Sequence, residues 1–127
     1  MGGRSVLTSD RGSVAMEMAV TIPTLVLVLL AILEVVVVAR IQLELVAAAR
    51  EGVRVAATAP DPGAAVDATT AALPPELGQR AKVSVVRPAV VGRQAMVTVT
   101  IRHRLTTPIM RWATVELHGR AVMRVEK

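Results

Sequence analysis

A long run of apolar residues near the N-terminus dominates the hydropathy pattern of the chain. In residues 18–39 the only charged side chain is Glu34. At a rise of about 1.5 Å per residue this run makes about 33 Å of helix, and the hydrocarbon core of a bilayer is about 30 Å thick. The pattern therefore predicts one transmembrane helix.

After this run the pattern becomes amphipathic but keeps its helical period. At about 100° per residue, the charged side chains of residues 40–57 fall in one sector and the apolar side chains lie opposite. The charged sector contains Arg40, Glu44, Arg50, Glu51 and Arg54, and the apolar sector contains Ile41, Leu45, Val46, Ala49, Val53 and Ala56. Residues 13–57 are therefore predicted to form one continuous rod of about 67 Å.

The remaining chain, residues 58–127, is predicted to contain a short helix and three β-strands. Residues 60–63 contain two prolines and a glycine that end the rod, residues 64–73 read as a short helix, and three alternating segments follow. The apolar positions are Ala81, Val83 and Val85, then Val97, Val99 and Ile101, then Val115, Leu117, Ala121, Met123 and Val125. One apolar face per strand is typical of an antiparallel sheet that is covered on one side.

The rod offers the cover that this sheet needs. The chain has no Phe and no Tyr, so residues 58–127 would make only a marginal core by themselves. We therefore predict an α+β, membrane-anchored, pilin-like fold. Its long N-terminal helix, transmembrane over about 18–39 and amphipathic over 40–57, packs on a small antiparallel β-sheet.

Composition supports an anchored protein and limits its chemistry. Hydrophobic residues make up 53% of the chain and aromatic residues 1%, which is too apolar for an ordinary soluble domain. Without cysteine the chain can form neither disulfides nor thiolate metal sites. Residues 80–127 carry a local charge excess of +8. This excess is either a scattered, solvated face or a patch for an anionic surface such as lipid headgroups; stacking aromatics for nucleic acid are missing.

The N-terminus allows a second interpretation. Arg4 and Arg11 could precede the hydrophobic core of an ordinary secretory signal that is cut after Ala39. Cleavage there would release residues 40–127 as a secreted or membrane-tethered basic binding module. The apolar run is longer than a usual signal core, and the helical pattern continues past the cut, so this interpretation is the alternative.

The residues around Gly12 carry a family resemblance. Gly12, Ser13 and, five residues after the glycine, Glu17 precede a hydrophobic helix with an early proline, which resembles the type IV prepilin processing signature. Together with Glu34, the stretch AAAREGVRVAA and the closing AVMRVEK, this segment resembles the TadE-like family of pseudopilins from tight-adherence (Flp, type IVc) pilus systems.

The resemblance implies a processed assembly subunit of the bacterial cytoplasmic membrane. A prepilin peptidase would remove residues 1–12 as a leader, cutting between Gly12 and Ser13. Glu17 and Glu34 would make intramembrane assembly contacts, Glu17 with the new α-amino group. The implied partners are the inner-membrane assembly platform, other pseudopilins or the major Flp pilin, and membrane lipid. The N-terminus would be cytoplasmic and the C-terminal region extracytoplasmic, with a single membrane pass.

Each acidic residue also has a simpler interpretation. Glu17 could be a solvated residue in the headgroup layer, and Glu34 could be protonated or could extend its carboxyl group toward the interface.

The sequence motifs do not indicate an enzyme. The chain has two histidines, and strand alternation places His103 on the apolar face and His118 on the polar one, so they do not form a joint site. No phosphate loop, nucleophile elbow or metal motif is present in the sequence. We expect no enzymatic activity, no catalytic residues, no cofactor and no metal.

Overall fold

The computed structural model describes residues 9–108 and 110–126. Helix α1 spans Ser9–Thr58, followed by α2 (Pro62–Ala72) and the short α3 (Pro75–Gly78). The strands are β1 (Lys82–Val86), β2 (Gln94–Arg104) and β3 (Thr114–Arg124), and they form an antiparallel sheet in the order β1-β2-β3. The predicted α+β fold, a long helix packed on a small antiparallel sheet, is confirmed.

In the N-terminal part of α1, two threonine hydroxyls are bonded to the backbone of the same helix. The hydroxyls of Thr21 and Thr24 donate to the backbone oxygens of Glu17 at 2.7 Å and Val20 at 2.8 Å. These polar groups therefore need no partner from outside the helix, as hydrocarbon requires. By length and composition this one helix can cross a membrane.

Helix α1 starts earlier than the sequence predicts. It begins at Ser9 rather than at residue 13, so the helix passes through Gly12. A single glycine costs a helix only about 1 kcal/mol relative to alanine, which is too little to end it.

The C-terminal half of α1 and the inner face of the sheet form one core. Buried side chains come from α1 (Ile41, Leu45, Ala48, Ala49, Val53, Ala56), from the sheet (Ala95, Val97, Val99, Ile101, Leu117) and from Val125 just after β3. The predicted apolar stripe is confirmed except that Ala48 is buried where Val46 is only half-buried. The strand faces also match the predicted alternation, although Val115 and Met123, on the edge strand β3, are still 37% and 39% exposed.

Two glycines mark the closest approaches in this core. A Cβ atom on Gly119 of β3 would overlap the backbone carbonyl of Leu45 in α1. A Cβ atom on Gly52 of α1 would overlap the hydroxyl of the buried Thr69 in α2. The Thr69 hydroxyl donates to the backbone oxygen of Ala65 at 2.6 Å, which holds it against α1.

The prolines between the helices set their ends. The carboxylate of Asp61 caps α2 by accepting the N–H of Gly63 at 2.9 Å, and Pro62 occupies the first turn. The pair Pro74-Pro75 follows the end of this helix. It also starts α3, because proline suits a first helical turn, and the buried Leu77 joins the core.

The sheet has a fixed direction along α1. The amide of Gln42 donates to the backbone oxygen of His118, and the N–H of Glu126 donates to the backbone oxygen of Ala57 at 3.2 Å. Strand β3 therefore runs parallel to α1 and β2 runs antiparallel to it. We call the sheet end at residues 104 and 114 the proximal end, because it faces the apolar half of α1, and the end at residues 94 and 124 the distal end.

The substitution Gly52→Ala should destabilise the fold by about 1–3 kcal/mol, because its methyl group overlaps Thr69 in a packed crossing. Thermal unfolding of the full chain in detergent, followed by circular dichroism, measures this loss. Adding Thr69→Ala should recover part of it. The control is Gly12→Ala, where a Cβ meets nothing within 4 Å. Equal melting temperatures for the Gly52 and Gly12 variants would contradict the close crossing.

Candidate functional site

Two acidic side chains lie in the apolar half of α1, and Glu34 is enclosed by its own chain. Its Oε1 atom is 3.2 Å from Nε2 of His103, and its Oε2 atom accepts the N–H of Thr106 at 3.2 Å. The side chains of Glu34 and His103 are each only 14% exposed. The carboxylate is therefore held from two sides at the proximal end of the sheet.

Strand alternation and the β2–β3 loop create this contact together. His103 lies two residues after the buried Ile101 and shares its face of β2, so the imidazole points at α1. The loop then folds back, and the N–H of Leu105 donates to the backbone oxygen of Ala113 at 3.2 Å. This closure aims the N–H of Thr106 at the helix.

Sequence reasoning placed His103 on the covered face and missed its partner. Glu34 and His103 are 69 residues apart, so their meeting depends on the register of the sheet against α1, which no local pattern encodes. An assembly contact of Glu34 with another subunit stays a prediction.

The contact also marks where the sheet, as distinct from the β2–β3 loop, begins to cover α1. From Glu34 onward one side of the helix faces the sheet, and Val38 packs against the core. Residues 14–33 make about 30 Å of apolar helix before that point, which equals the thickness of a hydrocarbon core.

Glu17 has the opposite surroundings. It lies on the exposed surface of α1 in a shallow hollow between Val14, Met18, Thr21 and Ile22. Within residues 9–108 and 110–126, no hydrogen bond or ion pair reaches its carboxylate. Glu17 is thus an acidic group among apolar neighbours whose partner, if it has one, comes from outside this part of the chain.

The predicted cleavage point lies in the first turns of α1. Gly12 and Ser13 are both exposed, and a Cβ on Gly12 would meet nothing within 4 Å. The first four N–H groups of a helix have no intrahelical acceptor, so its first turns open easily. A protease that binds an extended segment has access to this bond once the turn opens.

The second histidine belongs to a solvated network on the outer face of the sheet. Nε2 of His118 is 3.6 Å from Glu116, whose other oxygen is 3.7 Å from Nε of Arg102. Thr100 Oγ1 is 3.1 Å from Nδ1 of the same imidazole. All these charged groups are exposed, where ion pairs contribute little. No group of three or more metal-ligating side chains occurs in the described part of the chain.

The family comparison covers most of α1, including Glu17 and Glu34. A family model described as TadE-like protein matches residues 12–54. These residues are TadE-like. The predicted resemblance to the TadE-like family is confirmed over residues 12–54, the TadE-like segment, which includes Gly12, Ser13, Glu17 and Glu34. No curated protein and no solved structure gave a significant match to the chain.

The TadE-like segment and the apolar helix together indicate a membrane-anchored protein related to Tad pili. Its specific role, partners and membrane orientation belong to the proposal below.

The substitution Glu34→Ala should lower the free energy of unfolding by about 1–3 kcal/mol, because it leaves the largely buried imidazole of His103 and the N–H of Thr106 without their shared partner. Glu34→Gln, which keeps an acceptor oxygen, should cost less. Chemical unfolding of the detergent-solubilised full chain measures both.

The matched control is Glu44→Ala in the same helix. Glu44 pairs with an Arg40 side chain that is 82% exposed, and we expect a change of about 0–1 kcal/mol. Equal stability of the Glu34 and Glu44 variants would show that the contact of Glu34 with His103 and Thr106 does not stabilise the fold.

Proposed function

We propose that this chain is a minor pseudopilin of a tight-adherence pilus. In this proposal a prepilin peptidase cuts between Gly12 and Ser13. The mature chain stays in the bacterial cytoplasmic membrane with a single pass, its N-terminus at the cytoplasmic side and its C-terminal region outside. It then supports pilus assembly through Glu17.

The observation that carries the proposal is the contrast between Glu17 and Glu34, the acidic residues in the apolar part of the TadE-like segment. Glu34 is held by its own chain, whereas Glu17 has no bonded partner among the described residues. A carboxylate at the centre of a bilayer costs about 3 kcal/mol on insertion scales, and less near the edge of the hydrocarbon, where Glu17 lies. An uncompensated charge at this position is therefore explained best by a cationic partner that arrives later.

Cleavage after Gly12 would create such a partner. The new α-amino group at Ser13 has a pKa near 8 in model peptides and is mostly protonated at neutral pH. It would lie about 6 Å along the helix axis from Glu17, about one turn away. The amine of a neighbouring subunit can approach the same carboxylate, which would fix the axial register between two helices.

The partners follow from the same proposal. The peptidase acts first, and the inner-membrane assembly platform, other pseudopilins or the major Flp pilin then receive the exposed apolar helix. Nearly all apolar side chains of residues 14–33 are exposed, so this surface is open to lipid or to other helices.

The secreted-module alternative is disfavoured by the packing of α1. A cut after Ala39 would fall in the middle of an unbroken helix. It would also remove Glu34 from His103 and Thr106, and Val38 from the core. The released residues 40–127 would lose part of their own fold.

N-terminal sequencing of the membrane-bound protein from cells that contain the peptidase tests the processing step. We expect Ser13 as the first residue, and a catalytically inactive peptidase should leave the chain uncut. Gly12→Leu should also block cleavage, because a bulky side chain replaces the small one at the cut. An N-terminus at Arg40 in the soluble fraction would support the secreted module instead.

The substitution Glu17→Ala should leave insertion and melting temperature unchanged, since no described residue forms a hydrogen bond or ion pair with the carboxylate. Surface pilus, quantified by immunoblot of sheared fractions, should fall by about tenfold if an ion pair of about 1.4 kcal/mol is lost. Glu51→Ala, an exposed acidic position on the same helix, is the control. Undiminished pilus in the Glu17 variant would refute this role.

A further inference from the structure

The described residues of the β2–β3 loop, 105–108 and 110–113, extend along the apolar half of α1. Leu105, Thr107 and Met110 from the loop and Leu27 and Ala31 from the helix line one cavity of about 630 Å³. Leu27 lies about 10 Å along the helix axis before Glu34, on the membrane side. The loop therefore overlaps the stretch of helix that is predicted to lie in the bilayer.

The chemistry of the loop suits the boundary between lipid and water. Trp112 is 85% exposed and Met110 is 51% exposed. Trp112 shares a second cleft, of about 570 Å³, with Arg104, Arg111 and the same Leu105. Tryptophan is enriched at the level of lipid headgroups, and arginines near the membrane surface are attracted to anionic lipid.

The position of the loop is fixed by the chain itself. The N–H of Thr106 is bound to Glu34, and the loop is closed by hydrogen bonds from Leu105 to Ala113 and from Met110 to Thr107. Because Glu34 belongs to the membrane helix, insertion of that helix sets the depth of the loop.

We propose that the β2–β3 loop is a binding site for an anionic phospholipid in the leaflet that faces the C-terminal region. Arg104 and Arg111 bind the phosphate, Trp112 lies at headgroup level, and an acyl chain fills the groove between the loop and α1. The proposal rests on the membrane anchoring within the proposed function and does not depend on cleavage or on pilus assembly.

Charge and continuity select a lipid as the occupant. The cleft around the two arginines is lined by Leu105, Thr106 and Trp112, with no acidic side chain among its lining residues. The adjoining groove is almost wholly apolar, with Glu34 engaged by His103 and Thr106. A phospholipid carries both required parts, an anionic head and an apolar chain, and is present wherever the helix is inserted.

The only tryptophan in the chain makes the loop directly observable. The full chain is reconstituted into liposomes, and flotation first establishes that it is anchored. Trp112 fluorescence is then quenched with acrylamide from water, or with phosphatidylglycerol or phosphatidylcholine that carries a nitroxide near the top of one acyl chain. The control Trp112→Phe/Val90→Trp moves the probe to an exposed position near the distal end.

We expect the nitroxide lipids to quench Trp112 but not the control tryptophan, and acrylamide to do the reverse. Nitroxide phosphatidylglycerol should quench Trp112 at lower mole fraction than nitroxide phosphatidylcholine, with a preference of about fivefold for each arginine. Arg104→Gln/Arg111→Gln should abolish this preference, whereas the distal pair Arg93→Gln/Arg124→Gln should retain it.

Three outcomes would overturn the proposal in floated liposomes. Full acrylamide access to Trp112 would place the loop in water. Equal quenching by the two nitroxide lipids would remove the anionic headgroup from the site. Protection of Trp112 from both acrylamide and nitroxide lipid would show that a protein surface, such as a second copy of the chain, covers the loop.

Discussion

The sheet of this protein has no closed core without helix α1, and this shared core is the constraint on which the rest depends. The inner faces of β2 and β3 meet a stripe of small and branched side chains on α1, and Gly119 allows the strand to touch the helix backbone. The same helix continues without interruption into its apolar half. Folding of the C-terminal region and anchoring in a membrane therefore use one element and cannot be separated by a cut between them.

This shared helix gives its acidic residues different roles. At the proximal end, His103 and Thr106 bind the carboxylate of Glu34, so this acidic residue of the apolar half of α1 is incorporated into the fold of the C-terminal region. Nearer the N-terminus, no described residue forms a hydrogen bond or ion pair with the carboxylate of Glu17. The family match spans both residues and does not by itself distinguish them; the geometry does.

Periodicity was sufficient to predict the elements, because each has one apolar face whose spacing is set by the backbone. The stripe on α1 and the alternation in all three strands were readable for this reason. Gly52, by contrast, looks in the sequence like a weak point of the helix, and only the crossing of α2 explains it. The partner of Glu34 and the descent of the β2–β3 loop could not be predicted either, since both depend on how strands distant in sequence align against α1.

The candidate processing residues were identified by a different route. Gly12, Ser13 and Glu17 came from the family resemblance, and the structure adds that all three are accessible and that Glu17 lies among apolar neighbours. Physical reasoning from spacing alone would have left the glycine unremarked, because a single exposed glycine near a helix start has many uses.

The absence of a break in α1 across residues 34–58 has a mechanical meaning. Because no hinge lies between the apolar half of α1 and the sheet, the tilt of the helix in the bilayer also sets the orientation of the C-terminal region. This part of the helix is about 36 Å long, so a lean of about 10° would carry its far end sideways by about 6 Å. A neighbouring protein that binds the N-terminal part of the helix could thereby change the orientation of the surface at its C-terminal end.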